Sequence, residues 1–322
     1  LELDPNITIS QWADEYRMLS SEGGSEPGRW RTERTPYLRE IMDCLSPSHE
    51  CQRVAFQKGT QLGATEVINN WIGYVIHLSP ASFLMVQPTQ DLAKKVSKQR
   101  IAKAIRETPV LSERVALPRE RDSGNTLLVK EFPGGVLMLT GANSAAGLRS
   151  MPIKNLALDE VDSYPMDLDG EGDPIKIAEK RTDTFSRRKI FLASSPTIKA
   201  FSRIEREFSN SDQRWFNVPC PHCGVLQVLK WGGIKFEHKN YELVGEVFYL
   251  CKECGSLIEE RHKTKMLSGG VWIAENPGGE FPGFHLSALY APLGWTSWMK
   301  IVKDFLEFKR TKNINPQKTW TN

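Results

Sequence analysis

The chain has 322 residues, long enough for about two domains, with 42 Lys and Arg against 39 Asp and Glu and a net charge of +3. Hydrophobic content of 40% and charged content of 25% are ordinary for a globular protein and argue against a disordered or fibrous chain. No apolar run reaches the ~18–20 residues a membrane span needs, and no basic-then-apolar signal segment opens the chain, so an intracellular location is expected.

In chain order, residues 1–35 read as a polar N-terminal extension with one short helix. A helix is expected over 36–45, then a buried strand over 53–57, a glycine-containing turn and an apolar helix over 65–78. Residues 82–87 form a second strand, followed by one basic helix over 90–107. Further strands are expected at 126–131, 136–140, 154–158 and 189–194. Short apolar strands alternating with helices imply an α/β fold, a mainly parallel sheet joined by crossover helices over 36–213. Near Arg214 the alternation stops, and Trp, Gly and Cys become frequent among short β-like runs through 214–296, which is expected to be a zinc-binding, ribbon-like region. An amphipathic helix closes the pattern from about Ser297, within a final segment 297–322.

Charge is unevenly spread. Residues 94–121 hold Lys94, Lys95, Lys98, Arg100, Lys103, Arg106, Arg114, Arg119 and Arg121, a cluster suited either to phosphates or to a solvated helix face.

Lys58-Gly59-Thr60-Gln61-Leu62-Gly63-Ala64-Thr65 lies between an expected strand and an expected helix. A phosphate loop reads G-x-x-x-x-G-K-[ST]. Here Gly63 and Thr65 are in register, Ala64 stands where the lysine should be, and the lysine appears early, as Lys58. Backbone amides and the helix N-terminus can still cradle phosphates, Thr65 can reach a magnesium ion, and Lys58 can bring charge from the other end of the loop. About 100 residues on, a short apolar strand ends in Asp159-Glu160, the arrangement in which one acid holds magnesium and the next polarises the attacking water. A third strand runs into Ser194-Ser195-Pro196-Thr197, which from the residues alone is a strand end with a small polar turn; in helicase-like ATPases a turn at this point can sense the γ-phosphate.

Cys220-x-x-Cys223-Gly and Cys251-x-x-Cys254-Gly, separated by 27 residues, have the spacing of a closed, structural four-thiolate zinc site. His222 falls between two ligands and is not expected to be one, and Cys44 and Cys51 stand apart. The acidic run Asp167–Asp173 opens like a calcium loop but has Ala178 where the twelfth-position glutamate belongs, so a solvated loop is the better reading.

Together these segments resemble the large subunit of a phage terminase, specifically the lambda-like GpA family. The resemblance is carried by PYLREI at 36–41, FQKGTQLGAT at 56–65, VQPTQ at 86–90, AAGLRSMP at 145–152, NLALDEVDSYP at 155–165 and GEGDP at 170–174. It continues through RTDTF at 181–185, SSPT at 194–197, CPHCG, CKECG and GFHLSALYAPLGW at 283–295. It implies a RecA-like ATPase that, as a homo-oligomeric ring on a procapsid portal, pumps double-stranded DNA in the host cytoplasm together with a terminase small subunit. ATP, Mg²⁺ and Zn²⁺ are the implied cofactors. By this resemblance Lys58, Gly59, Thr60, Gln61, Gly63, Ala64 and Thr65 surround the phosphates, and Asp159 is the magnesium acid. Glu160 becomes the catalytic carboxylate, Ser194 to Thr197 the coupling turn, and Tyr37 a stack for adenine. VQPTQ looks like a DNA-contacting segment and draws the neighbouring basic helix into that role. Two departures from the family pattern stand out: some members carry a second lysine where this chain has Glu66, and members continue into a nuclease domain, for which no two-metal acidic cluster follows Cys254. This implies a motor fragment without nuclease activity. Arg149, ten residues before Asp159, is the candidate arginine finger acting on a neighbour's ATP, with Arg181 as the second choice. A superfamily 2 helicase fragment and a non-catalytic zinc-ribbon DNA-binding module are the rival readings.

Overall fold

The computed structural model describes residues 6–22, 26–116, 125–197 and 201–311. The chain divides into two compact units. The first comprises 1–32, 38–54 and 64–193; the second comprises 33–37, 55–63 and 194–322.

The first unit starts with helix α1 (Ile9–Tyr16), capped by a reciprocal Thr8–Gln11 capping box. The segment read as an extension is therefore built into the fold. Trp12 is fully buried, donates through Nε1 to His77 Nδ1 (3.0 Å), and occupies the space over Gly73, where a Cβ would meet its ring at 2.2 Å. Helix α2 (Leu38–Leu45) buries Leu38, Ile41, Met42 and Leu45 along one face and leads into β1 (Arg53–Lys58). Only Arg53 and Val54 of β1 count in this unit. Helix α3 (Ala64–His77) carries Val67, Ile68, Trp71, Ile72, Val75 and Ile76 inward, with acidic Glu66 in its first turn as the helix dipole favours.

Strand β2 (Ser82–Gln87) precedes α4 (Gln90–Val96), a π-helical turn (Ser97–Ile101) and α5 (Ala102–Glu107). The single basic helix expected over 90–107 is thus interrupted. Within the widened turn Ser97 is fully buried, donating to the Leu127 carbonyl and accepting from Lys130 Nζ at 3.4 Å, while Lys98 and Arg100 stay exposed. Strands β3 (Val129–Phe132), β4 (Gly135–Gly141), β5 (Asn155–Asp159) and β6 (Lys189–Ser194), with helix α6 (Pro174–Glu179) before the last, complete the unit. The strand order is β6-β5-β2-β4-β3, parallel except for β3 against β4. β5 and β6 are buried at every position, which is why they read as continuous apolar runs rather than alternating ones.

The second unit holds Ala55–Lys58 of β1, helix α7 (Arg203–Asn210), and strands β7 (Arg214–Pro219), β8 (Leu226–Val228), β9 (Ile234–Lys239), β10 (Glu242–Leu250), β11 (Leu257–Glu259), β12 (Val271–Ala274) and β13 (Gly283–Leu286). Helix α8 (Trp298–Thr311) ends the described chain. The cysteine-rich region is not purely a ribbon. β13 runs parallel to both β1 and β7, with Leu286 opposite Lys58, while β8 and β12 pair antiparallel with β7. A separate antiparallel sheet, β9-β10-β11, follows.

Candidate functional site

In the first unit the polar residues gather at the carboxyl ends of β5 and β2, the end where open α/β sheets bind ligands. Asp159, the last residue of β5, is 4% exposed. Its Oδ2 accepts from Gln87 Nε2 (3.1 Å), at the end of β2, and from Thr65 Oγ1 (3.4 Å), in the first turn of α3. Thr65 and Asp159, ninety-four residues apart in the chain, are therefore brought together. Gln87 was placed by sequence with DNA contact, not with the acid. Its signal was present: it is a polar residue ending an apolar strand, and β2 pairs directly with β5. Glu160 leaves the strand in the left-handed region (φ 55°, ψ 51°), a conformation costly for a residue with a Cβ.

In the second unit Lys58 is 5% exposed and its ammonium lies 3.4 Å from Ser195 Oγ. Ser194 is fully buried and Thr197 exposed. Gly59 donates to the Leu286 carbonyl (2.8 Å), and a Cβ there would meet the Ala288 amide nitrogen at 2.8 Å, so the residue after the early lysine has to be glycine. Thr60 and Gln61 form the exposed tip; Gln61 (φ 57°) and Gly63 (φ 92°) turn the backbone through positive φ, the curvature of anion-binding loops. Ala64 is buried and begins α3. Tyr37 is fully buried, edge-on to Phe216 at 6.0 Å, and burial pushes its phenol pKa upward. Its ring is covered here, so stacking on a base requires that cover to move.

Arg149 caps a short helix and is about half exposed; it pairs with Glu171 in the turn at 170–174. Arg181 is half-buried, its backbone carbonyl accepting from Ile153 (2.8 Å). In the acidic run Asp167 accepts from Gly170 (2.6 Å) and Gly172 (2.9 Å), and Asp173 caps α6, so these acids close their own loop.

The four cysteines of the second unit converge. Cys220 and Cys254 Sγ are 3.9 Å apart, as are Cys223 and Cys251 Sγ, and all four sulfurs lie within 4.8 Å of one another. A tetrahedral ion with metal–sulfur bonds of about 2.3 Å has edges of about 3.8 Å, so the donor set fits one. Both loops fold alike. Cys220 donates to Val225 and Gly224 back to Cys220; Cys251 donates to Ser256 and Gly255 back to Cys251, at 2.9–3.0 Å, with Gly224 and Gly255 at φ 77° and 70°. The Ser256 hydroxyl and amide bring the Cys254 thiol down, while desolvation and the neighbouring thiols push Cys223 up. His222 packs on His262 (5.8 Å) and is not in the sulfur cluster.

Cys44 and Cys51, which stand apart from the paired cysteines in the sequence, cluster with His49 in the first unit. A cation already serves that loop: Lys189 Nζ donates to the carbonyls of Cys44 (3.0 Å), His49 (2.7 Å) and Cys51 (2.5 Å). Of the basic segment, Lys94, Lys95, Lys98 and Arg100 are exposed, while Lys103 and Arg106 pair with Glu22 at 3.3 Å. Arg119 and Arg121 lie outside the described residues.

Residues 24–272 match the phage terminase large subunit gpA ATPase domain. The chain belongs to that family. It is 31% identical over 343 residues to the terminase large subunit of Enterobacteria phage P21, and 27% identical over 340 residues to that of Escherichia phage lambda. Each alignment covers 98% of this chain and 52% of the relative, so the chain spans about half the length of these proteins. Among solved structures it is similar to the large terminase ATPase domain of Thermus phage P74-26, with 13% identity, a TM-score of 0.46, and coverage of 90% of this chain and 95% of that one.

Proposed function

We propose that this chain is the ATP-hydrolysing motor of a phage DNA-packaging terminase large subunit. In this reading it drives double-stranded DNA into a procapsid from the host cytoplasm, as a ring on the portal and in company with the small subunit. The observation that carries the reading is the meeting of Thr65, Gln87 and Asp159 at the strand ends, in a chain that belongs to the terminase ATPase family.

The residues divide the work as follows. Amides of the 59–64 loop and the α3 N-terminus receive the phosphates of ATP, and Lys58 supplies the loop's cationic side chain. Thr65 and Asp159 would hold Mg²⁺, which when bound offsets charge on the phosphates. Gln87 donates to Asp159 and so orients its carboxylate. Glu160, forced out of the strand geometry, orients and polarises the attacking water. Ser195, at the Lys58 ammonium, belongs to the turn that senses the γ-phosphate. Tyr37 is the candidate base stack. The four cysteines hold a structural Zn²⁺, since four thiolates leave no open position for chemistry.

The test is magnesium-dependent ATP hydrolysis with and without double-stranded DNA. Wild-type chain should hydrolyse ATP faster with DNA, and Lys58→Ala should lose about 10²-fold or more, the scale of removing one preorganised group from a charged transition state. Normal turnover by Lys58→Ala would overturn the early-lysine assignment.

A further inference from the structure

Glu66 stands in the first turn of α3, directly after Thr65, at a helix N-terminus that in the proposed function has to receive polyphosphate. A carboxylate there repels the phosphates unless it is neutralised. In the structure two arginines neutralise it. Arg17, 4% exposed, lies 3.3 Å from Glu66 Oε2, and Arg100 lies 3.5 Å from Oε1; Asn69 Nδ2 also donates to Oε1 (3.1 Å). The two arginines differ in kind. Arg17 is buried just past α1 and also donates to the Met18 carbonyl, so it cannot leave. Arg100 is 54% exposed, sits in the π-helical turn, and continues the exposed cations Lys94, Lys95 and Lys98. Interruptions of this kind recur at functional positions.

We propose that Glu66 is a positioning residue that couples the N-terminus of α3, where Thr65 stands, to the basic surface through Arg100. Resting on the function proposed above, the coupling has a definite sign. With both arginines in place the trio Arg17, Glu66 and Arg100 carries net charge +1 beside Thr65. When DNA backbone phosphates engage Arg100, that arginine leaves Glu66 and the local charge falls to zero. Nucleotide is then held less tightly, and by linkage nucleotide weakens the grip on DNA by the same factor. DNA thus promotes release of the spent nucleotide. A half-exposed ion pair is worth about 0.2–1 kcal/mol, which sets the effect at up to about five-fold in affinity.

The experiment is ADP affinity, measured by displacement of a fluorescent nucleotide, with and without saturating double-stranded DNA. Wild type should bind ADP about two- to five-fold more weakly with DNA, and both Glu66→Gln and Arg100→Ala should lose that difference. DNA occupancy is confirmed for each variant by anisotropy, and Arg100→Lys should restore part of the difference. A merely structural Glu66 would change melting temperature or ADP affinity in both conditions and leave the DNA-dependent difference intact. The proposal fails if wild type binds ADP equally with and without DNA, or if Glu66→Gln keeps the full difference. Arg100 is exposed, so Arg100→Ala gives an answer even if Glu66→Gln does not fold. Absence of any nucleotide or DNA binding by wild type would instead sink the motor reading on which the proposal stands.

Discussion

Asp159→Asn should separate chemistry from folding. The substitution keeps the shape of a side chain that is 4% exposed and accepts from Gln87 Nε2 at 3.1 Å and Thr65 Oγ1 at 3.4 Å. Bonds to a charged acceptor are worth about 1.5–3 kcal/mol and to a neutral one about 1, so weakening these two costs roughly 1–4 kcal/mol. Against that, the buried carboxylate no longer has to be desolvated, a gain of similar size. The net change in stability should be within about 1 kcal/mol, or about 2–4 °C in melting temperature. Turnover should behave differently. The substitution removes the negative charge proposed to hold magnesium, and a catalytic metal supplies several kcal/mol at a developing phosphoryl charge. With about 1.4 kcal/mol per decade, that predicts a loss of at least about 10²-fold in ATP hydrolysis. The assay pairs calorimetric melting with steady-state turnover across a magnesium titration. Wild-type-like turnover at ordinary magnesium, with the melt unchanged, would refute the assignment of Asp159. A melt lowered by many degrees would show instead that the carboxylate is a structural keystone.

Three other outcomes are expected. If Arg149 acts in trans, Arg149→Ala and Glu160→Ala proteins should each be inactive under assembling conditions and recover some ATPase when mixed; full activity of Arg149→Ala alone would reject the idea. Trp12→Ala should destabilise the first unit by about 3–5 kcal/mol, because it empties the space over Gly73 and removes the Trp12 Nε1 hydrogen bond to His77; denaturant titration of the variant would show it. Stability should also fall in acid through His285, which lies against Trp215 at 4.2 Å and is pushed down to about 4 by burial and by Lys230. The unfolded ring, with a pKa near 6.5, binds the proton first, so stability present above about pH 6.5 is lost as pH falls toward about 4. The loss is at most about 3 kcal/mol, since part of the residue stays open to solvent, and His285→Gln should flatten that part of the denaturation–pH curve.

What local sequence determined is the set of elements and motifs whose cause is itself local. Continuous apolar runs announced β2, β5 and β6, because a strand buried on both faces needs no alternation. The glycine after each cysteine pair announced the two loops, because Gly224 and Gly255 adopt positive φ wherever the chain folds. Lys58, Thr65 and Asp159 stand out as candidates in the sequence because a strand-loop-helix and a strand-ending acid are patterns of a few adjacent residues. Tertiary structure alone decided what depends on distant segments meeting. Gln87 became a partner of Asp159 because β2 lies beside β5, and strand order is not written in any one strand. The parallel pairing of β13 with β1 arose across more than two hundred residues, in a stretch whose composition pointed to a ribbon. The π-helical turn begins at buried Ser97, whose hydroxyl bonds to Leu127 and Lys130, partners some thirty residues away that no reading of local helix propensity could supply. Glu66 looked like a departure from a phosphate loop until Arg17 and Arg100 were seen on its two oxygens. Its charge is balanced in three dimensions by residues that flank it at a distance in the chain, and only folding could bring them there.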